Sequence, residues 1–256
     1  MEELNFIDKS DFMFHRVSGK VTQKDDYYEI STESNPDFIW GNYYAFTNAA
    51  AIAKHYQHLE AESIKKHDFF AFSYNTEFKD LDLVNEYQVK EFDVDIDEGM
   101  IRTESMIEIK NENLSLGIVS TEEEWQEIIH NQLKNSGLPK KETGFLEKRF
   151  AGYRKMVNNG EGHWFFAKKD DRILGDLGIF FDGDNARFQQ VGTVEEARNQ
   201  GVCQSLVCFA GNYCLNKLLM KSLAIVADEG SPAHHIYQKL GFKTVLYTHS
   251  FFKSNR

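Results

Sequence analysis

VGTVEEARNQGVCQSL, residues 191–206, carries the strongest signal for fold and function in this sequence. It begins as an alternating, strand-like segment, turns at the charged pair Glu195 and Glu196, and continues into an apolar helix that starts near Val202. The first turn of a helix has backbone N–H groups without partners inside the helix, and its dipole favours negative charge. Because Gly201 stands at the turn, this stretch predicts a backbone cradle that a phosphate can approach closely.

The spacing inside this stretch resembles the acetyl-CoA signature of the GNAT N-acetyltransferase superfamily. In that family, a strand leads through a short linker to the pattern R-x-x-G-x-G/A, which is matched here from Arg198 through Gly201 to Cys203. Cys203 stands where the family usually has Gly or Ala, and it is small enough to leave the cradle open. Glu195 stands where the family often has Pro, so we expect a slightly looser turn.

The resemblance implies that acetyl-CoA lies along this stretch as a co-substrate. Backbone N–H groups at the start of the helix would hold its pyrophosphate. The backbone of Val191 and Thr193 would pair like a strand with the pantetheine arm and donate to the thioester carbonyl. The predicted cofactor-binding residues are Val191, Gly192, Thr193, Arg198, Asn199, Gln200, Gly201, Val202, Cys203 and Ser231.

A second segment, AHHIYQKLGF at residues 233–242, resembles the family pattern A-x-x-x-Y-x-k-x-G-F. The resemblance implies that Tyr237 lies near the cofactor sulfur and protonates the departing thiolate, a role that suits a partly buried hydroxyl. The alternative is that Tyr237 only packs and hydrogen-bonds locally. Many members have Asn seven residues before this Tyr; here that position is Gly230, so a cofactor contact is missing or is supplied by Ser231.

Transfer to an amine also needs a base, because an ammonium must lose a proton before it can attack a thioester. Glu195 and Glu196, next to the cradle, are the predicted bases, acting directly or through water. The alternative is that both are solvated turn residues, and Asp176 in the preceding strand is a second candidate. None of the nine histidines has a metal-ligand spacing, so no metal is predicted.

Composition limits the classes of function. The chain of 256 residues is 41% apolar and 14% aromatic, which supports packed cores. Its net charge of −11 disfavours nucleic acid and anionic membranes as partners. The three cysteines, Cys203, Cys208 and Cys214, all fall in the helix after the cradle, which is typical of a reducing compartment. With no signal peptide or transmembrane run in view, the predicted location is the cytoplasm.

Charge is divided unevenly along the chain. Residues 1–113 carry 11 Lys and Arg against 24 Asp and Glu, whereas residues 114–256 carry 18 against 16. A polar break at residues 110–113 therefore predicts an N-terminal domain over 1–113 and a catalytic domain over 114–256. The acidic half is interpreted as a solvated face, or as a region that attracts a cationic acceptor.

Periodicity and turn residues predict the element order β-α-α-β-β-β-α-β-α-β for residues 114–256, with a capping box formed by Thr121 and Glu124. This is the order of the GNAT fold. The predicted class is α+β, with a mixed, splayed central sheet flanked by helices.

The N-terminal domain is predicted to be α+β as well. Its W-G-N segment, Trp40–Asn42, weakly resembles the N-terminal part of some two-part GNAT-like proteins, which favours a degenerate or supporting GNAT-like domain. The aromatic residues there are interpreted as core, with acceptor recognition as the alternative. Gly99 is predicted to turn the chain, so that residues 100–109 pair with the strand before it.

The leading hypothesis is an acyl-CoA-dependent N-acyltransferase with acetyl-CoA as the favoured donor. A small-molecule or peptide amine would attack directly in a ternary complex, without a covalent enzyme intermediate. The alternatives are a non-catalytic CoA-binding sensor and an interaction protein with a decayed cradle. The superfamily uses its frame for many acceptors, so the acceptor, the acyl length and the oligomeric state remain open.

Overall fold

The computed structural model describes residues 2–137 and 143–254. The chain forms two compact units: the first comprises Met1–Gly99, Val226–Ser231 and Thr244–Arg256, and the second comprises Met100–Ile225 and Pro232–Lys243. This division differs from the predicted single boundary at residues 110–113, because the last strand of the chain belongs to the first unit. The predicted boundary follows polarity along the sequence, whereas the units follow packing in space.

The first unit combines helices with a mixed set of strands. Its elements are α1 (Glu2–Lys9), α2 (Phe12–Ser18), β1 (Lys20–Gln23), β2 (Tyr27–Ser31), β3 (Tyr43–Phe46), α3 (Ala49–His67), β4 (Phe69–Thr76), α4 (Leu81–Val89), β5 (Asp93–Arg102) and β11 (Lys243–Ser254). The strands lie in the order β1-β2-β3-β4-β11-β5. β3 and β4 are parallel, whereas β4 and β11 are antiparallel.

Aromatic side chains fill the core of this unit. Phe70, Phe72 and Phe251 are fully buried, and the rings of Phe72 and Phe251 stack with their centroids 4.5 Å apart. This contact joins β4 to the last strand of the chain. Burial of such large side chains stabilises the unit mainly through the hydrophobic effect.

The W-G-N segment helps to order the first unit through Asn42, which is 4% exposed. Its Oδ1 accepts the backbone N–H of Thr32 at 2.9 Å, and its Nδ2 donates to the carbonyls of Asn35 and Phe38, both at 2.9 Å. One side chain therefore satisfies three backbone groups of the preceding loop, which is a structural role.

The prediction of a turn at Gly99 is wrong, because β5 continues through this residue to Arg102. A Cβ at position 99 would lie 2.9 Å from Cδ1 of Ile7. The glycine therefore permits close packing of α1 on the strand. Residues 103–109 form no strand, so the predicted hairpin partner is absent.

The element order predicted for residues 114–256 is found in the described residues, but its last strand, β11, lies in the first unit, and the second unit holds the other nine elements. Its elements are β6 (Ser115–Ile118), α5 (Glu122–Asn135), α6 (Gly144–Asn158), β7 (Gly162–Lys169), β8 (Arg172–Asp182), β9 (Asn185–Thr193), α7 (Val202–Asn216), β10 (Ser222–Asp228, whose first residues belong here) and α8 (Pro232–Lys239). The strands lie in the order β10-β9-β8-β7-β6. Only the pair of β10 with β9 is parallel.

Helices α5 and α6 pack on this sheet around Trp164, which is fully buried in β7. The rings of Trp125 and Phe150 each lie 5.4 Å from that of Trp164. The predicted capping box is present: Thr121 Oγ1 accepts the Glu124 N–H, and a Glu124 carboxylate oxygen accepts the Thr121 N–H, each at 3.2 Å. Across residues 2–137 and 143–254, every helix is too short or too polar to cross a lipid bilayer.

Candidate active site

Strand β9 loses its regular pairing on both edges. Its ladder with β10 covers only residues 185–187, so residues 188–193 have no partner in the described part of that ladder. On the other edge, the register against β8 shifts between Asp176 and Gly178, where Gln190 and Val191 face a single residue. This is a β-bulge, and Gln190 adopts a φ of 53° there. The sheet is therefore splayed where the predicted cofactor strand ends.

The chain then forms the cradle. A short 3-10 turn, Glu195–Ala197, leads to Arg198, and two left-handed residues follow: Asn199 with φ 60° and Gly201 with φ 77°. Gly201 is the N-cap of α7 and has no side chain to cap the first-turn N–H groups. A Cβ at Gly201 would have as its nearest neighbour Asn111 Nδ2, at 3.8 Å. The first-turn amides are thus accessible to an anionic ligand.

A cavity of about 370 Å³ lies beside the cradle, within the second unit. It is bounded by α5, α6, the end of β9, the cradle and α8. The lining residues are Gln132, Asn135, Ser136, Leu146, Phe150, Gln190, Val191, Gly192, Thr193, Arg198, Cys203, Pro232, Ala233, Ile236 and Tyr237. Residues from both sequence signatures therefore meet at one cavity.

The remaining predicted cofactor residues lie outside that lining. Asn199, Gln200 and Gly201 are exposed on the cradle, and Val202 is buried beneath it. Ser231 belongs to the first unit.

The two predicted bases are exposed, and neither lines the cavity. Glu196 pairs with Arg172 at 3.3 Å and with Lys134 at 3.9 Å. A hydrogen bond to its own backbone, together with these cations, holds the pKa of Glu196 below its usual value. A base role for Glu195 and Glu196 stays a prediction.

Residues 160–244 match the family model described as an acetyltransferase (GNAT) domain. The chain carries a GNAT domain. The matched segment contains the bulged strand, the cradle and Tyr237. The match therefore covers the lining residues from Gln190 to Tyr237, whereas those from Gln132 to Phe150 lie outside it.

Individual relatives are distant. The chain is 25% identical over 91 residues to a Bacillus subtilis (strain 168) protein that is provisionally named as an alanine N-acetyltransferase of ribosomal protein bS18; the match covers 36% of this chain and 60% of that protein. A functionally unknown conserved protein from Staphylococcus epidermidis ATCC 12228 superposes with a TM-score of 0.72 at 13% identity, covering 94% of this chain and 96% of the other. A GCN5-related N-acetyltransferase from Kribbella flavida gives 0.67 at 11% identity, covering 96% and 94%. The two structural matches show a shared fold.

Asp176 of the GNAT domain is 2% exposed. Its Oδ1 accepts hydrogen bonds from Gln132 Nε2 at 2.9 Å and from Trp164 Nε1 at 3.1 Å. Burial raises the pKa of Asp176 to about 7, and the two hydrogen bonds act in the opposite direction. The Asp176 carboxyl group, with its raised pKa, thus lies directly behind Gln132, which lines the cavity.

Two amides on α5 fasten this helix to the irregular end of β9. Gln132 Nε2 donates to the carbonyl of Gln190 at 3.2 Å, and Asn135 Nδ2 donates to that of Thr193 at 3.3 Å. Sequence reasoning missed both residues. Their spacing of three places them on one face of a helix, which is the signal in the sequence that could have found them.

The three thiols are free and differ in position. Cys203 lines the cavity, and burial raises its pKa to about 11. Cys208 and Cys214 are buried away from it. Because a thiolate is the nucleophilic form, Cys203 is poorly suited to attack at neutral pH. Within the described ranges, no group of three or more His, Cys, Asp and Glu side chains could hold a metal ion.

Proposed function

We propose that this chain is an N-acyltransferase that moves the acetyl group of acetyl-CoA to the amine of a small molecule or peptide. The observation that carries the proposal is the cavity shared by the cradle, the bulged end of β9 and Tyr237. The match to an acetyltransferase (GNAT) domain over the same residues supports this chemistry.

The residues present fit acetyl-CoA. Left-handed Gly201 and the uncapped first turn of α7 suit a pyrophosphate, with Arg198 as the adjacent cation. The unpaired edge of β9 offers N–H and C=O groups to an extended amide chain, as a sheet edge does in strand addition. When bound, acetyl-CoA supplies an acetyl group activated as a thioester.

Tyr237 is the proposed acid. It is 3% exposed and lines the cavity, and we assign to its hydroxyl the proton that the departing thiolate takes up. Cys203 is not proposed as a nucleophile, because its raised pKa keeps it protonated. The amine therefore attacks directly.

Two sets of residues are candidates for the base within this proposal. Glu195 and Glu196 lie outside the cavity, so they would receive the proton through water. Asp176 has a pKa near the pH at which a base is most effective, but it lies behind Gln132.

The acceptor is an amine of unspecified identity. The Bacillus subtilis relative is named for an alanine of a ribosomal protein, and the matched segment spans 60% of its length. A peptide amine is thus one acceptor class to test beside small amines.

Release of the CoA thiol tests the proposal. Purified full chain is incubated with acetyl-CoA and, separately, butylamine, glucosamine, spermidine, lysine and an alanyl tripeptide. We expect saturable, amine-dependent thiol release with at least one of them, and mass spectrometry should find the acetylated amine. Binding of CoA without amine-dependent release would instead support the sensor hypothesis.

A further inference from the structure

Gln132 has a fixed orientation. Its Nε2 lies 2.9 Å from Asp176 Oδ1 and 3.2 Å from the carbonyl oxygen of Gln190. A backbone carbonyl only accepts hydrogen bonds, so the nitrogen end of the carboxamide must face these two oxygens. A carboxamide has two N–H groups, and both are engaged.

The oxygen end of the carboxamide, Gln132 Oε1, differs from the nitrogen end in its hydrogen bonding. No hydrogen bond of the described residues involves Gln132 Oε1, and Gln132 lines the cavity. The group also lies directly on the bulged strand, because a Cβ at Gly192 would collide with its nitrogen. Oε1 is therefore the atom of this carboxamide that can bond to a molecule in the cavity, and it can only accept.

We propose that Gln132 is a specificity-determining residue that accepts a hydrogen bond from the acceptor amine through Oε1, and that Asp176 is a positioning residue that holds the carboxamide in this orientation. The inference rests on the proposed function and names the group that recognises its second substrate.

A neutral oxygen suits this task better than a carboxylate does. A carboxylate beside an amine favours the ammonium form, which cannot attack a thioester, whereas an amide oxygen binds an amine N–H without adding a negative charge. Among the described residues that line the cavity there is no Asp or Glu, and Arg198 is the charged one. The cavity thus binds an amine without stabilising its protonated form through an ion pair.

Asp176 acts through Gln132, because it is 2% exposed and does not line the cavity. Its Oδ1 is shared with the indole N–H of fully buried Trp164. The chain Trp164–Asp176–Gln132 therefore anchors the carboxamide to the core. An Asn at position 176 keeps an Oδ1 acceptor for both donors, whereas a Leu does not.

Steady-state kinetics of the full chain test the proposal, using acetyl-CoA and whichever amine of the panel above is turned over best. Loss of one neutral hydrogen bond should raise the amine KM of Gln132→Leu about tenfold, with the acetyl-CoA KM unchanged. Asp176→Leu should raise the amine KM similarly and add nothing in a Gln132→Leu background. Asp176→Asn should keep an amine KM near that of the wild type, and its kcat should fall only if Asp176 is also the base. Gln126→Leu, on the exposed face of the same helix, is the matched control.

An unchanged amine KM in folded Gln132→Leu overturns the inference. An equal rise of the amine KM in Asp176→Asn and Asp176→Leu overturns the positioning role, because the charge at position 176, and not the acceptor atom, would then set the KM. If Asp176→Leu does not fold, NMR of the Gln132 side-chain amide in the wild type and Asp176→Asn decides: two slowly exchanging protons support the anchor, and rapid exchange overturns it. Absence of turnover with every amine, with acetyl-CoA binding intact, overturns the proposed function itself.

Discussion

Gly175 of β8 faces the first residue of α7: a Cβ at position 175 would lie 2.8 Å from Cγ1 of Val202. Val202 is 2% exposed, and its branched side chain has few alternative rotamers. The cradle helix therefore lies close to β8 because position 175 has no side chain.

Gly175→Ala should consequently disturb the cradle from below. We expect a loss of about 1–3 kcal/mol in the free energy of unfolding, as in other overpacked cores, and weaker acetyl-CoA binding because the first turn of α7 shifts. Denaturant unfolding and calorimetry measure the two effects. Gly144→Ala is the control, since a Cβ there meets nothing within 4 Å. Equal stability and affinity in the two variants would contradict this view of the packing.

Gly201→Glu should weaken acetyl-CoA binding strongly, because a carboxylate would crowd and repel the pyrophosphate. The substitution also strains a residue with φ 77°, so the control must carry the same strain. Gly160→Glu provides it, at φ 78° in open space away from the cradle. Similar affinities in both variants would show that the cradle lies elsewhere.

Tyr237→Phe should slow turnover and leave the affinity for acetyl-CoA near normal, because it removes a proton donor and keeps the ring. Tyr213→Phe serves as the control, as Tyr213 does not line the cavity. Pre-steady-state thiol release measures the chemical step. If the two variants turn over at the same rate, Tyr237 only packs.

Asp176 should make the stability of the protein depend on pH. Burial raises its pKa from the ordinary 3.8 to about 7, so between these values the folded state holds a proton that the unfolded state has lost. Stability from this group is thus highest at low pH and falls as the pH rises through the window.

The matched variant is Asp176→Asn, which does not titrate. The unfolding free energy of the wild type relative to this variant should fall with rising pH across that window, by an amount on the order of 4 kcal/mol. Burial also raises the pKa of Asp97 to about 7. Because Asp97 is present in both proteins, its contribution to the pH dependence cancels in the difference. A difference that is flat with pH would show that Asp176 is ionised throughout.

The order of elements around the cradle could be predicted because its signals are local. Arg198, Gly201 and Cys203 lie within six positions of sequence, and the capping box at Thr121 spans four. Local spacing fixes local backbone geometry, such as the left-handed turn at Gly201.

The network behind the cavity could not be predicted in the same way. Gln132 reaches Asp176 and Gln190, which are 44 and 58 residues further along the chain. Likewise, β4 pairs with β11, so that Phe72 stacks on Phe251 and the last strand joins the first unit. Such partners are selected by packing in three dimensions, and no periodic pattern in a single sequence identifies them.

Cys203→Ala should keep most of the activity if the amine attacks directly. The thiol is half-buried with a pKa raised by burial to about 11, so little thiolate exists at neutral pH. Turnover of this variant and the absence of an acetylated cysteine in quenched wild-type reactions are the measurements. An acetyl group trapped on Cys203 would contradict direct attack.

The proposed function depends on binding of acetyl-CoA by the segment from Arg198 to Cys203. Isothermal titration calorimetry of the full chain with acetyl-CoA tests it most directly. We expect saturable, single-site binding that Gly201→Glu loses and Gly160→Glu retains. No heat at high ligand concentration, or equal binding by both variants, would contradict it.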